Sequence, residues 1–404
     1  MVSVVVTGLG SVGSYGCGRQ RITEALASST LTTSEVDRSQ GSHRLQGSRR
    51  AALAACLDLS PWLAPAAARR MSAPSKYAVA AARMAAQDAG LSLEEIGGPT
   101  AVIMATAFGP TSFTEKLLLQ VLKEGPEAAS PFFFTECVAN APAAQIAIAA
   151  KAVGPNVTIV QGEAGPLRAV ARAAAEVASG RWARALAGAV DELPPILHAA
   201  LDRFAALARP DADGQEIPRP FDRRRSGVVA AEGSLVLVLE DEATARSRGA
   251  RILARIRGAG MAFDSTACRG SWGQGQQTLA LALRRALDRV GVAPKDIHLI
   301  VSGASGAIAG DRLEALTLRA AWAGEPLPPL VTPKSVTGEY GGGFLAAAVL
   351  AASGASFGPP NGFELDPALG LRPWAGVTSL APHSVLATSL AAGGAASWLI
   401  LDRP

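Results

Sequence analysis

Val157-Thr158-Ile159-Val160-Gln161-Gly162-Glu163-Ala164-Gly165 is a β-branched run that breaks at Gly162 and passes into an alanine-rich stretch reaching about Ser179. Valine, isoleucine and threonine are stiff at χ1 and suit strands, whereas alanine loses nothing in a helix. The segment therefore reads as a short buried strand, a sharp turn and a long helix. The same alternation extends in both directions. Upstream, residues 2–6 read as a strand entering a tight turn at Thr7-Gly8-Leu9-Gly10. Residues 75–90 have helical spacing, with Tyr77, Ala81, Met84 and Ala85 on one side and Gly90 as the stop. A strand at 101–105, a helix at 113–122 and a small-residue helix at 140–153 follow. Downstream, strands are expected at 185–190, 234–239, 251–258, 299–302 and 397–401. Helices are expected at 243–248, 276–290, 312–323 and 341–352, with a loop at 303–310. Short apolar strands alternating with helices predict a layered α/β fold. The halves, about 1–250 and 251–404, share this rhythm with no proline-rich linker between them, so one common core is expected. Residues 31–49 are polar and irregular and read as a surface loop.

The chain has 404 residues, 49% of them hydrophobic, enough for a large core. Aromatic residues make up only 5%, and alanine and glycine allow helices to lie close on sheets. The net charge is +4, and the densest basic cluster is Arg219, Arg223, Arg224 and Arg225, beside Glu216 and Asp222. That is too short for a nucleic-acid footprint. It suits a solvated loop, or a surface for an acidic carrier protein. Cys17, Cys56, Cys137 and Cys268 form no CxxC pair, and His43, His198, His298 and His383 are scattered, which argues against zinc. The opening segment lacks a basic n-region, and no run of about 18 apolar residues is free of breaks. A cytoplasmic protein with reduced thiols and no membrane contact is expected.

Several stretches together resemble a family. Val4-Val5-Val6-Thr7-Gly8-Leu9-Gly10, Pro131-Phe132-Phe133 with Asn140-Ala141-Pro142, and Arg219-Pro220-Phe221-Asp222 with Gly227, Glu232 and Gly233 are similar to the β-ketoacyl synthases. Pro333-Lys334-Ser335-Val336-Thr337-Gly338 resembles that family's lysine motif. Each match alone is weak; the ordered set spans nearly the whole chain. The resemblance implies a thiolase-type fold, two similar α/β halves giving an αβαβα core of five layers, with dimerisation through the first half. It implies no cofactor and no metal.

Synthases of this family carry the acyl chain on a cysteine at a strand-to-helix turn, where the helix N-terminus favours the thiolate. Two histidines assist decarboxylation of malonyl carrier protein and stabilise the enolate. Transferred to this sequence, the cysteine position is Glu163. The first histidine position, eight residues before Asp311, is Gly303, with Glu314 following. The second histidine position, after Thr337-Gly338, is Glu339. A carboxylate is a poor acyl acceptor because the product is an anhydride. Gly303 donates nothing, and an ionised Glu339 only accepts hydrogen bonds. The three departures together imply that condensation has been lost. Lys334 is retained, and its simplest role is an ion pair with Glu339 or Glu163. The glycine loop before the last strand, Ser389-Leu390-Ala391-Ala392-Gly393-Gly394, has Leu390 or an alanine where the family has a gating phenylalanine.

The resemblance points most closely to the chain length factors, the ketosynthase β-subunits of type II polyketide or aryl polyene synthases, although these often carry glutamine where Glu163 stands. Such a subunit pairs with a catalytic ketosynthase as a heterodimer, shapes the tunnel for the growing polyketide or polyene chain, and meets acyl carrier protein through its partner. Tunnel or interface positions are expected at Phe108, Phe113, Phe133, Thr135 and Cys137, with Phe132 and Phe134 as ordinary core. Two other readings remain open. One is an enzyme of altered chemistry, a decarboxylase or acyltransferase on a carrier-bound acyl group using Glu163, Lys334 and Glu339. The other is a homodimer that only binds.

Overall fold

The computed structural model describes residues 2–38, 47–54, 57–360, 363–371 and 382–404; His43 and Cys56 lie outside them. The strands form two five-stranded arrays with identical connectivity. In the first, Val4–Gly13 pairs antiparallel with Gly233–Asp241, which pairs antiparallel with Arg184–Asp191. Thr100–Thr106 and Asn156–Val160 then continue in parallel. In the second, Ala254–Phe263 pairs antiparallel with Ala395–Asp402, and that strand with Ser384–Leu390. Leu299–Ser302 and Leu330–Val331 again follow in parallel. The arrays join where Val4, Val5 and Val6 pair with Ile256, Arg255 and Ala254.

Both faces of each array are covered, so its strands are apolar on both sides, with successive residues facing opposite ways. Val102, Met104, Leu186 and Val236 turn outward, to the helices Ala73–Asp88 and Ala141–Ala150. Ala101, Ile103, Ala105, Ala185, Ala187 and Ala189 turn inward. The second array sends Ile300, Leu386 and Trp398 outward to the helices Gln276–Asp288 and Ile308–Trp322. Leu299, Val301, Val385 and Leu399 turn inward. The inward residues of both arrays close on two central helices, Gly165–Ala178 and Gly341–Ala352. Every residue of Gly341–Ala352 is buried. Outer helices, array, central helices, array and outer helices make the five αβαβα layers of the thiolase-type fold.

The central layer is thin because its residues are small. A Cβ on Gly341 would lie 2.1 Å from Pro166 Cγ, so the two central helices touch at their N-terminal ends. Each follows the last strand of its own array, Asn156–Val160 in one and Leu330–Val331 in the other, and the Gly341–Pro166 contact brings their beginnings together. This coincidence builds the site.

The structure departs from the sequence reading in several places. Thr7-Gly8-Leu9-Gly10 does not turn; the strand continues to Gly13, with a register shift between Val6 and Gly8. The glycines are needed for close approach, since a Cβ at Gly8 would lie 2.1 Å from the Ala85 carbonyl oxygen and one at Gly10 2.0 Å from that of Ala81. The 157–160 segment is not buried. Asn156–Val160 is the last strand of its array, with one neighbour, and Val160 is 59% exposed. A β-branched run looks alike at the margin and in the middle of a sheet. The strand expected at 251–258 lies at Ala254–Phe263, and the helix expected at 312–323 begins at Ile308. Ser384–Leu390 is a full strand where only the start of a glycine loop, Ser389-Leu390, was read. Within 31–49, Ser34–Glu35 pairs with Arg50–Ala51, and residues 39–46 lie outside the described residues.

Replacing Gly10 with valine is expected to cost about 2 kcal/mol or more, because the clash is with backbone of the Ala73–Asp88 helix and cannot be relieved by a rotamer change. The urea midpoint should fall accordingly; an unchanged midpoint would show that this helix can move outward freely.

Candidate functional site

The turn after Asn156–Val160 is a short 3₁₀ segment, Gly162–Ala164, with Gly162 at φ 50° in the left-handed region. A β-carbon is disfavoured there, so glycine allows the chain to reverse within one residue. Glu163 follows, at the start of the Gly165–Ala178 helix. The loop from the second array folds over this turn. Ser389 Oγ donates to the Glu163 carbonyl at 2.7 Å, and Ala164, Ala391 and Ala395 form a small apolar cluster. The Glu163 carboxyl accepts the backbone N–H of Ala392 and its own. Leu390 instead packs into the core of the second array, so of the two residues weighed for the gating position, the alanine lies over the turn.

Lys334, only 1% exposed, opens the Lys334–Thr337 helix. Its ammonium bonds both oxygens of Glu339, at 2.6 and 2.8 Å, and lies 5.2 Å from the centre of the Phe344 ring. Gly338, at φ 69°, makes the turn between them. Glu339 is fixed by its backbone: its N–H donates to Val229 O at 2.7 Å and its carbonyl accepts from Ala231. Lys334 thus takes Glu339 as its ion-pair partner. Burial pushes the Glu163 carboxyl up to about 7, Glu339 pushes the same way, and Lys334 opposes both. Glu163, Lys334 and Glu339 are therefore one electrostatic group. Asp191 belongs to its surroundings: burial raises it to about 6, with a weaker push from Glu339.

Gly303 sits where Leu299–Ser302 ends, its N–H bonded to Thr388 O at 2.7 Å. A Cβ there would lie 2.7 Å from Thr388 O and 2.9 Å from Ser389 Oγ, so the backbone leaves no space for a side chain. The loop beyond it is held by acids. Asp311 accepts the N–H groups of Phe221 at 2.8 Å and of Ser305 and Gly306 at 3.2 Å. Glu314 accepts from Ser302 Oγ at 2.6 Å. Burial raises Asp311 to about 6 and Glu314 to about 8. Among the described histidines, His198 bonds Arg50 O and His298 packs on His383 at 5.6 Å; neither contact belongs to this cluster.

The expected tunnel residues gather on a second surface. Phe113, on the helix Thr111–Glu124, packs on Phe132 and Phe133 at centroid distances of 5.9 and 5.5 Å. Phe133 and Cys137 are half-buried on Pro131–Cys137, where Thr135 is exposed. The Cys137 thiol donates to Phe134 O at 3.3 Å, and its carbonyl accepts from Thr114 Oγ1. Phe108 is exposed, with its N–H on Asp191. Phe132 and Phe134, expected in the core, are 41% and 62% exposed, because this helix faces away from its own chain.

The basic cluster is neutralised locally. Arg219 pairs with Asp211, Arg223 with Glu364, Arg224 with Asp222 and Glu364, and Arg225 with Asp366. Such a set fastens a loop and offers little net charge to an acidic carrier. Sequence reasoning missed Glu136, Asp191 and Glu192, three buried acids that bond backbone N–H groups. The Asp191-Glu192 pair did carry a signal, standing where a parallel-paired strand ends and its polar ends line a crevice. Among the described residues, no group of three or more His, Cys, Asp or Glu could hold a metal ion, and no single helix is long and apolar enough to cross a membrane.

Lys334→Ala strands the Glu339 carboxylate and is expected to cost about 3 kcal/mol. Removing Glu339 as well should recover part of the loss, giving a large coupling in a double-mutant cycle; additive losses would dissolve the pair as a unit. For Glu314 the folded value, about 8, exceeds the ordinary one. In that window the folded chain holds more protons than the unfolded chain, so this group's contribution to stability falls as pH rises from about 4.5 to about 8. Glu314→Gln should flatten the decline of Tm across that range, and an unaltered slope would assign the proton elsewhere.

The chain matches two family profiles: residues 1–245 match "Beta-ketoacyl synthase, N-terminal domain" and residues 253–355 match "Beta-ketoacyl synthase, C-terminal domain". It is 31% identical to "Putative polyketide beta-ketoacyl synthase 2" of Streptomyces halstedii, over 86% of this chain and 82% of that one. It is 28% identical to "3-oxoacyl-[acyl-carrier-protein] synthase 2" of Vibrio cholerae, over 83% and 81%. Among solved structures it superposes on "The ishigamide ketosynthase/chain length factor" with a TM-score of 0.89 and 30% identity, over 100% of this chain and 99% of that one. With one motif order, one duplicated topology and profiles spanning both halves, the chain belongs to the β-ketoacyl synthase family.

Proposed function

We propose that this chain is the non-condensing subunit of a ketosynthase heterodimer, a chain length factor that pairs with a catalytic ketosynthase and shapes the tunnel for a growing polyketide or polyene chain. The observation that carries this reading is the filled site. Acyl transfer from a thioester to Glu163 would give a mixed anhydride, more reactive than the thioester consumed. At Gly303 the Thr388 carbonyl stands where a side chain would begin. Both oxygens of Glu339 are bonded to Lys334. This arrangement offers no thiolate to an acyl group and no histidine to an enolate, and its ammonium is held by Glu339. The same contacts weigh against a decarboxylase or acyltransferase built on Glu163, Lys334 and Glu339, since the one ammonium is already engaged.

The pairing surface fits an unlike partner of the same fold. Asn156–Val160 has a free outer edge, and strand edges pair. Next to it in succession lie Ala141–Ala150, Pro131–Cys137 and Thr111–Glu124. Leu122, Val153 and Ile148 on and between these elements are 80%, 75% and 69% exposed. An apolar surface of this extent is built to be covered. The likeness to the ishigamide ketosynthase/chain length factor supports the pairing. Acyl carrier protein would then deliver its cargo to the partner's cysteine, and Phe108, Phe113, Phe133, Thr135 and Cys137 would line or flank the far end of the shared tunnel.

The test is reconstitution with an active ketosynthase and acyl carrier protein. The chain alone should leave malonyl carrier protein intact, and Glu163→Ala should leave product formation by the pair nearly unchanged. Turnover by the chain alone, or collapse on Glu163→Ala, would favour the enzyme reading. Cys137→Phe should shorten the product, as added volume stops growth earlier; an unchanged length would remove Cys137 from the tunnel.

A further inference from the structure

The Pro131–Cys137 helix is built inside out. Helices usually bury their apolar residues and expose their charges. Here Phe132 and Phe134 face outward, and the one fully buried residue is Glu136, at 2% exposure. Its carboxylate reaches the N-terminal end of the sixteen-residue helix Ala73–Asp88. Oε2 accepts the Ser72 N–H at 2.9 Å, Ser72 Oγ at 2.8 Å and Ser75 Oγ at 2.7 Å. Oε1 accepts Gln145 Nε2 at 2.7 Å. These donors are neutral, and the positive end of the helix dipole supports the charge they surround.

The elements carried with this helix are held in the same polar manner. Thr111–Glu124 has no fully buried residue. It is joined to Pro131–Cys137 by Thr114 Oγ1 on Cys137 O at 3.1 Å, by Gln120 accepting the Ser130 N–H at 3.0 Å, and by the Phe113, Phe132 and Phe133 contacts. Its N-terminal end hangs on Glu192, which accepts Ser112 N–H at 2.6 Å and Ser112 Oγ at 2.9 Å. A seven-residue helix has little stability of its own. Apolar packing tolerates sliding, but hydrogen bonds set distance and direction. Glu136 therefore fixes where Phe133, three residues before it, and Cys137, one residue after it, stand relative to the body.

We propose that Glu136 is a positioning residue for product length: through its four hydrogen bonds it fixes the placement of Phe133 and Cys137 at the tunnel wall. This rests on the reading of the chain as a tunnel-shaping subunit. Glutamine can stand in for it. The amide oxygen can take the three bonds of Oε2, and the amide nitrogen can donate to a flipped Gln145. Alanine cannot.

The experiment uses the full chain paired with its ketosynthase and reads three quantities: heterodimer formed, total product and product length by mass spectrometry. Glu136→Ala is expected to leave the heterodimer assembled and to broaden the product toward longer chains. The share exceeding the wild-type length should rise by more than about fivefold, since about fivefold is the ratio given by losing one hydrogen bond of about 1 kcal/mol and this variant loses four. Glu136→Gln should restore the wild-type distribution. Ser75→Ala, which removes one donor and leaves the acid, should shift it in the same direction by less, and carries the test if Glu136→Ala fails to assemble. A fall in total product with an unchanged length distribution in Glu136→Ala, or in Ser75→Ala where that variant carries the test, overturns the proposal. If Phe133→Ala and Cys137→Phe alter length while Glu136→Ala does not, the positioning role fails and the tunnel reading stands. If none of these alters length, the tunnel reading itself fails.

Discussion

The structure turns on the contact between Gly341 and Pro166, where two helix N-termini meet at the centre of the molecule with no room for a β-carbon between them. Gly341–Ala352 buries its whole circumference, and Gly165–Ala178 all but the side of Arg168, Arg172 and Ala175, against strands of both arrays, which small side chains allow. That explains the alanine and glycine content of Gly165–Ala178 and Gly341–Ala352 and of the inward strand positions. It also brings the segments entering these helices, around Glu163 and around Lys334 and Glu339, into electrostatic reach of each other. The site is thus a consequence of how the middle layer packs.

Two helix N-termini that converge on one place concentrate positive potential there. In this chain the potential is met by the protein's own carboxyls. Glu163 lies under backbone N–H groups, and Glu339 is bound by the buried ammonium of Lys334. Farther out, Asp311 and Glu314 hold the loop that follows Gly303, while Asp191 and Glu192 hold the segments that follow Thr100–Thr106. An alanine-rich interior has few shapes with which to specify loops, and buried acids bonded to N–H groups specify them by direction. Such acids stay worthwhile only while every partner is present.

This division separates what could be read in the sequence from what could not. Helix 341–352 has the expected bounds, and strand 299–302 likewise, because their composition and the glycine and proline around them are local signals. Glu163, Gly303, Lys334 and Glu339 were legible because each occupies a fixed place in a motif, and the structure gathers Glu163, Lys334 and Glu339 into one group. Glu136 was not legible. Its partners Ser72 and Ser75 are 64 and 61 residues away, and nothing near it in sequence marks an acid that will be buried. The exposure of Val160 and the straight passage of the strand through Gly8 and Gly10 were hidden for the same reason: neighbours in space decided them.

The two arrays share a topology but not an outline. The first ends in Asn156–Val160, five residues long with an open side; the second ends in Leu330–Val331, two residues long and buried. A sheet protein with a free margin at each end can add copies without limit. In the proposed pairing this chain offers a joining margin at one end, so the first association would consume it. Assembly is then a terminating step, and the chain can lengthen a sheet by one partner without seeding a fibre.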